Sequence, residues 1–478
     1  MTAETPYTMT IGGKAVAGTS TFEVLNPATG QVVGSAPDCT PEQLDQAVAA
    51  ARKAFPQWSA TPIEKRREAL LGIAGVLGGN VEELKRLLTS EQGKPHEGAM
   101  GDILGGAYWC QATSTLEIPE KVVEESAERH GVTRHVPIGV VGAIAPWNFP
   151  IILAMFKVAP ALLAGNTVVL KPSPFTPLTT LRMGELLRGV LPDGVLNIVT
   201  GGDALGPWMT SHPGIDKISF TGSSATGRKV MASAAETLKR VTLELGGNDA
   251  AIVLPDVDVA EVAEKLFWAA FGNSGQICIA TKRMYVHKDI YEPLKTAIVD
   301  YAKTVKMGDG AEQGTQLGPI NNKLQYERVL DLIADSKAKG YKFLMGGEAS
   351  PAPGYFVPIT IIDNPPEDSR IVQEEQFGPV LPLLSFDTLE EAIDRANASP
   401  YGLGASIWTA DEAKALDISS RIAAGTVWIN ETQHLSPLGA FGGHKQSGLG
   451  SEGALEGLLE YTNTQTVYVK KPAVAAAQ

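Results

Sequence analysis

One pattern constrains this chain more than any other: short apolar runs rich in β-branched residues, separated by helical spacing. "GVVGAIA" is followed by a helix, then "NTVVLKPS" and the helix "PLTTLRMGELLRGV". "VLNIVTGG" and a further helix come next, then "KISFTGS", the helix "ATGRKVMASAAETL" and "VTLELGG". A strand that is apolar at nearly every position must be covered on both faces, and parallel neighbours need a crossover helix between them. The alternation therefore predicts a parallel sheet with helices on both sides. After Asn248 a second alternating unit begins. It has a strand at "KRMYVHK", the helix "YEPLKTAIVDYAKTV", another helix near 322–339, and strands near 342–346, 356–361 and 380–386. The helix "LEEAIDRANAS" and the strands "GASIWT" and "GTVWIN" follow. The fold class expected is α/β, with two doubly wound parallel-sheet domains. The polar, alternating segment 121–137 reads as a hairpin standing off the main body.

With 478 residues, 44% hydrophobic and 19% charged, the chain is long enough for two or three cores. A net charge of −13 argues against nucleic acid or an anionic membrane as partner. The stretch 138–156 is uncharged over a membrane-crossing length, but Pro146, Asn148 and Pro150 interrupt it, so it reads as strand, turn and buried helix. The three cysteines, Cys39, Cys110 and Cys278, are too few and scattered for a disulfide framework. No signal-peptide pattern opens the sequence, so a cytoplasmic setting is expected. No metal-ligand spacing is seen.

In an open parallel sheet, ligands bind beyond the carboxyl ends of the strands. Pro146-Trp147-Asn148 follow the first run, Lys171-Pro172-Ser173 the second, and Thr200-Gly201-Gly202 the third. Thr221-Gly222-Ser223 follow the fourth, and Glu244 then Gly246-Gly247 the fifth. Singly, each is an ordinary turn-former or solvated charge; together they put an amide, a lysine, hydroxyls, glycines and a carboxylate on one edge. "FTGSSATGRK" joins a strand to a helix, where free N–H groups favour phosphate. Gly222 and Gly227 mimic a nucleotide-binding P-loop, but Arg228-Lys229 stand where Lys and Ser or Thr are needed, so a dinucleotide pyrophosphate fits better. The one G-x-G-x-x-G, Gly448, Gly450 and Gly453, opens no β-α-β unit and is discounted.

Cys278 follows "GNSGQ", a polar loop suited to an accessible thiol, whereas Cys39 and Cys110 read as small buried hydrophobes. As a nucleophile it would need an oxyanion donor, which Asn148 could supply, and a base, which Glu244 could supply. None of the seven histidines sits in a strand-end cluster.

With "PWNFP" (146–150), "LKPS" (170–173), "FTGSSATG" (220–227), "LELGG" (243–247), "GQICIA" (275–280), "EEQFGPV" (374–380), "NASPYGLGASIWT" (397–409) and "FGGHKQSGLGSEG" (441–453) in this order, the chain resembles the aldehyde dehydrogenase superfamily over nearly its whole length. The resemblance implies NAD(P)-dependent oxidation of an aldehyde to the acid, through a thiohemiacetal and thioester on Cys278. It implies Glu244 as general base and Asn148, with the Cys278 N–H, as oxyanion donors. It implies Pro146, Trp147, Lys171, Ser173, Gly201, Gly222, Ser223, Leu245, Gly246, Glu375 and Phe377 about the cofactor: Lys171 on the adenosine ribose, Ser223 on the pyrophosphate, Glu375 on the nicotinamide ribose with Phe377 beside it. NAD is expected, with NADP possible, because Pro174 stands where the family often has a ribose-binding Glu. Asn248 stands where the family often has Lys.

The corresponding division is 1–118 and 138–247 for the dinucleotide-binding domain, 248–446 for the catalytic domain, and 119–137 with 447–471 for oligomerisation. A homodimer or homotetramer is expected, since 121–137 and the final strand "TNTQTVYVK" lack an obvious partner within their own domain. A CoA-acylating dehydrogenase is disfavoured by the hydrolytic base Glu244, and a non-redox cysteine hydrolase by the lack of a placed histidine. Phe149 and Phe156 are expected to line an apolar approach for a medium or aromatic aldehyde, with Ile277 and Ile279 flanking the thiol and Gln433 and His434 facing the substrate.

Overall fold

The computed structural model describes residues 7–351 and 353–472. Five parallel strands form the centre of the first sheet, in the spatial order Leu196–Ile198, Thr167–Lys171, Val140–Ile144, Lys217–Thr221, Arg240–Glu244. Every residue of Val140–Ile144, Thr167–Lys171 and Lys217–Thr221 is buried, as strands covered by helices on both faces require. The chain winds outward from Val140–Ile144 to Leu196–Ile198, then returns and winds the other way. The strand order therefore reverses between Val140–Ile144 and Lys217–Thr221. Antiparallel strands complete the edges: Met9–Ile11 with Lys14–Val16 on one side, Gly448–Leu449 on the other. Helix starts follow local capping chemistry. Thr40 Oγ1 accepts the Gln43 N–H while Gln43 Oε1 accepts the Thr40 N–H, a closed box at the head of Pro41–Ser59.

The second sheet has seven strands, ordered Lys342–Met345, Thr360–Asp363, Val380–Phe386, Thr281–His287, Asp249–Val253, Gly404–Trp408, Thr426–Ile429. All neighbours are parallel except Lys342–Met345 against Thr360–Asp363. Separate apolar clusters cover its two faces, one around Tyr285 and Phe386 and the other around Phe267 and Trp408. The expected strand near 356–361 lies later, at Thr360–Asp363.

Four residues, Leu245–Asn248, join the carboxyl end of Arg240–Glu244 to the amino end of Asp249–Val253. So short a link makes the carboxyl edge of the first sheet face the amino edge of the second.

One expectation needs correction. Segment 121–137 and the final strand do not lack partners in the chain: they pair with each other. Arg129–Pro137 lies between Lys121–Glu125 and Thr462–Lys470, the latter in register from Thr462 opposite Pro137 to Lys470 opposite Arg129. Of segment 447–471, only Thr462–Lys470 joins this sheet, since Gly448–Leu449 extends the first. Among the described residues no helix is long and apolar enough to cross a membrane.

Candidate active site

A cavity of about 400 Å³ opens where the two edges meet. It lies at the reversal of strand order, the position such sheets use for ligands. From the first sheet it gathers Pro146, Trp147, Asn148, Gly222, Ser223, Leu245 and Gly246, just past strand ends, and Glu244, the last residue of its strand; from the second, Cys278, Glu375 and Phe377, all just before strand starts. Trp147 meets Phe377 edge-on at 5.3 Å between ring centroids, closing one wall across the two units. Lys171, Ser173 and Gly201 are not in its walls. They lie one and two strands away, at the ends of Thr167–Lys171 and Leu196–Ile198.

The loop before Cys278 is held in a strained shape. Helix Val259–Phe271 ends at Gly272, and Asn273, Ser274 and Gly275 all take left-handed backbone angles, φ 49°, 56° and 73°. Such a run persists only when its surroundings fix it. Ser274 Oγ donates to Gly318 O at 2.7 Å; Gln276 Nε2 donates to Asn273 O at 2.9 Å, and Gln276 Oε1 accepts the Asn321 N–H at 2.9 Å. At Gly275 a Cβ would sit 2.1 Å from Gly378 O, so only glycine lets the loop pass. Asn148 is tied to the same loop: its Nδ2 donates to Gln276 O at 3.0 Å, and its own carbonyl accepts from Lys94 Nζ at 2.7 Å.

Cys278 is half-buried, while Cys39 and Cys110 are buried. Burial raises both Cys39 and Cys110 to about 12. Burial and then the Glu244 carboxylate push the Cys278 thiol up, with Asp249 and Glu375 adding to this and Lys282 opposing it. Glu244 is itself raised, first by burial and then by Glu452, with Lys157 opposing. Neither Glu244 oxygen has a hydrogen-bond partner among the described residues, and both are buried. An ordinary structural carboxylate would be paired; this one lines the cavity with both oxygens unpartnered among the described residues.

Sequence reading missed the residues behind Glu244. Lys157 Nζ donates to Thr221 Oγ1 at 2.7 Å and pairs with Glu452 at 2.5 Å. Lys157 directly follows the uncharged stretch 138–156, and a lone charge in an apolar helix was its available signal. Glu452 lies inside the discounted "GLGSEG". Arg228, Gln325, Arg328 and Tyr401 also line the cavity. The expectation for Phe156 is wrong: it is buried and stacks on Trp109, with ring centroids 3.5 Å apart. Phe149 packs its ring on Lys94 Nζ at 3.7 Å, and Ile279 is buried in a small cluster with Leu403, Trp428 and Phe441. Gln433 Nε2 donates to Ala269 O at 2.7 Å, which ties its loop to the helix that leads into the Cys278 turn. Asn248 has a structural use: its Nδ2 donates to Val372 O at 2.8 Å, fastening the inter-sheet link.

The residues suit a dinucleotide. Ser223 caps the twelve-residue helix Ser224–Ala235 through the Thr226 N–H, beside Gly222 and with Arg228 close by. Glu375 lies over the glycine link, where a Cβ at Gly246 would come within 2.3 Å of its Oε2. Among the described residues, buried Lys171 Nζ donates only to Pro172 O, at 3.3 Å.

Comparison with known proteins decides the family. The sequence profile of the aldehyde dehydrogenase family matches residues 15–467. A probable aldehyde dehydrogenase of Pseudomonas sp is 43% identical over 475 residues, covering 98% of this chain and 96% of that one. The chain belongs to the aldehyde dehydrogenase family. The NAD+ complex of a Bacillus cereus aldehyde dehydrogenase superimposes with a TM-score of 0.95 at 38% identity, covering 98% of this chain and 97% of that one. An NADP-dependent enzyme of E. coli does so with a TM-score of 0.95 at 33% identity, covering 98% of both chains. The reaction is accordingly NAD(P)-dependent oxidation of an aldehyde. The parallel-sheet architecture expected of an aldehyde dehydrogenase is the one observed.

Proposed function

We propose that Cys278 attacks the aldehyde carbon as its thiolate, the thiol proton passing to solvent, and that the acyl group leaves to water. The oxyanion of the thiohemiacetal is held by Asn148 Nδ2 and the Cys278 backbone N–H, the amide turning from Gln276 O to the substrate. NAD(P)+, when bound, supplies the hydride acceptor that leaves a thioester on Cys278. Glu244 then takes a proton from water, whose oxygen adds to the thioester; the acid departs and the thiol is restored. The unpartnered Glu244 carboxylate in one cavity with Cys278 carries this reading, because a CoA-acylating enzyme has no use for a buried base and a non-redox hydrolase would need a histidine. Lys171, Ser173 and Gly201 are assigned to the adenosine side, beyond the cavity walls. A medium-sized or aromatic aldehyde remains the substrate class proposed.

The chain is proposed to work in the cytoplasm as a homodimer or dimer of dimers, with 1–118 and 138–247 binding the dinucleotide, 248–446 carrying the nucleophile and 119–137 with 447–471 set apart for assembly. The two outer strands of the three-stranded sheet support assembly: Val122 is 56% exposed and Tyr468 60%. The test of the chemistry is absorbance of reduced nicotinamide on adding an aldehyde, with and without CoA. CoA-independent turnover to the free acid is expected; strict dependence on CoA would overturn the hydrolytic assignment.

A further inference from the structure

We infer that Lys282 is a positioning residue of the reaction, fixing the direction and strengthening the donor character of the Cys278 backbone N–H. This rests on the roles proposed above for Cys278 and its N–H.

Lys282 is the second residue of strand Thr281–His287 and is only 2% exposed. Its Nζ donates to the carbonyls of Ile277 at 2.8 Å, Cys278 at 2.7 Å and Ala280 at 3.3 Å. Three carbonyls of a single turn, the one bearing the nucleophile, converge on one ammonium. The Ile277 carbonyl and the Cys278 N–H belong to the same peptide unit. The peptide is planar and trans, so its oxygen and its N–H point in opposite directions. An ammonium held on the oxygen therefore sets where the N–H points. It also draws charge toward the oxygen and leaves the N–H a better donor, as linked hydrogen bonds polarise one another.

The same Nζ lies 3.7 Å from Glu375 Oε1, which accepts the Gly247 N–H at 3.1 Å. A Cβ at Gly247 would in turn come within 2.6 Å of the Cys278 carbonyl. One cation thus joins the nucleophile turn, the Glu375 carboxylate and the glycine link that follows Glu244. A neutral side chain of similar volume would fill this space without the cost of burying a charge, and a charge placed for stability alone needs no second and third carbonyl. Electrostatics points the same way. Glu244, Asp249 and Glu375 each push the Cys278 thiol up, and Lys282 acts in the opposite sense.

The test uses full-length Lys282→Met, Lys282→Gln and Lys282→Arg. Three quantities are read: the pre-steady-state burst of reduced cofactor, the pH dependence of Cys278 alkylation by iodoacetamide, and NAD affinity. Removing one oxyanion donor outright costs roughly 10²–10³ in rate, so weakening one should slow the burst by about tenfold or more. The alkylation midpoint should move to higher pH in the Met and Gln variants, with NAD affinity within about threefold of wild type, taken as under one tenfold step in binding. Arg, which keeps charge and donors, should recover part of the burst rate. A core-filling role would lower thermal stability and leave burst and alkylation unchanged in the folded fraction, and that result overturns the inference. If Lys282→Met does not fold, the order Lys, Arg, Gln in burst rate decides, and equal bursts overturn it. A burst that survives Cys278→Ser would overturn the nucleophile assignment itself and this inference with it.

Discussion

Lys157 Nζ and Glu452 Oε1 lie 2.5 Å apart, sealed from solvent, with Lys157 also bonded to Thr221 Oγ1 at the end of its strand. These two charges act on Glu244 in opposite senses, Glu452 raising it and Lys157 lowering it. Glu452→Gln removes the negative charge and leaves the positive one. Glu244 should then ionise at lower pH, and the acid limb of kcat should move down. Lys157→Met should move the limb up. Each single change leaves an unpaired buried charge and should cost about 3–5 kcal/mol of stability, while the double variant should regain much of it. Denaturant unfolding and a pH profile of kcat test this; limbs moving in the same direction for both single variants would sink the argument.

Cys278→Ser should abolish turnover and leave cofactor affinity nearly intact, since a hydroxyl is a far poorer nucleophile than a thiolate. Cys39→Ser and Cys110→Ser should keep activity, both thiols being buried. Retention of even a tenth of wild-type kcat in Cys278→Ser would end the assignment.

What the sequence made legible follows from where it was read. Strands buried on both faces announce themselves as apolar runs, and a parallel sheet gathers whatever follows them; Asn148, Ser223 and Glu244, singled out that way, line one cavity. Helix Pro150–Leu163 is buried nearly all round, so its pattern has no polar face to orient it, and Phe156 was placed wrongly for that reason. The pairing of Arg129–Pro137 with Thr462–Lys470 joins segments more than 300 residues apart, as in Thr133 with Thr466, and no local pattern encodes it. Lys157 and Glu452 are unremarkable singly and gain meaning only as a pair.

Glu244→Gln should stop the reaction at the thioester, giving one equivalent of reduced cofactor in a burst and little after it. In the wild type the raised Glu244 leaves the base form scarce at low pH, so kcat should fall as pH drops. Loss of the burst itself in the Gln variant would mean that Glu244 acts before hydride transfer.

Asn148→Ala should lower kcat by roughly 10²–10³, the usual cost of one oxyanion donor. The variant also loses the bond from Nδ2 to Gln276 O that fastens the nucleophile loop. An effect confined to cofactor KM would place Asn148 in the dinucleotide site instead.

Cofactor preference turns on Lys171 and Pro174. Pro174 supplies neither the charge-assisted bond to the ribose hydroxyls nor the repulsion of a 2′-phosphate that a glutamate there would give. NAD should therefore be preferred by only a modest factor, with NADP activity measurable, and Pro174→Glu should sharpen the preference. Lys171 adds a pH dependence of known sign. Burial lowers it to about 8, with Asp203 opposing. Below that pH it is a cation that can meet a phosphate; above it the charge is lost. kcat/KM reports groups of the free enzyme, so the NADP-to-NAD ratio of kcat/KM should decline between about pH 7 and 9. Lys171→Met should flatten that decline, because the phosphate then gains nothing from protonation. A ratio that is constant across this range in the wild type would show that Lys171 does not face the 2′ position.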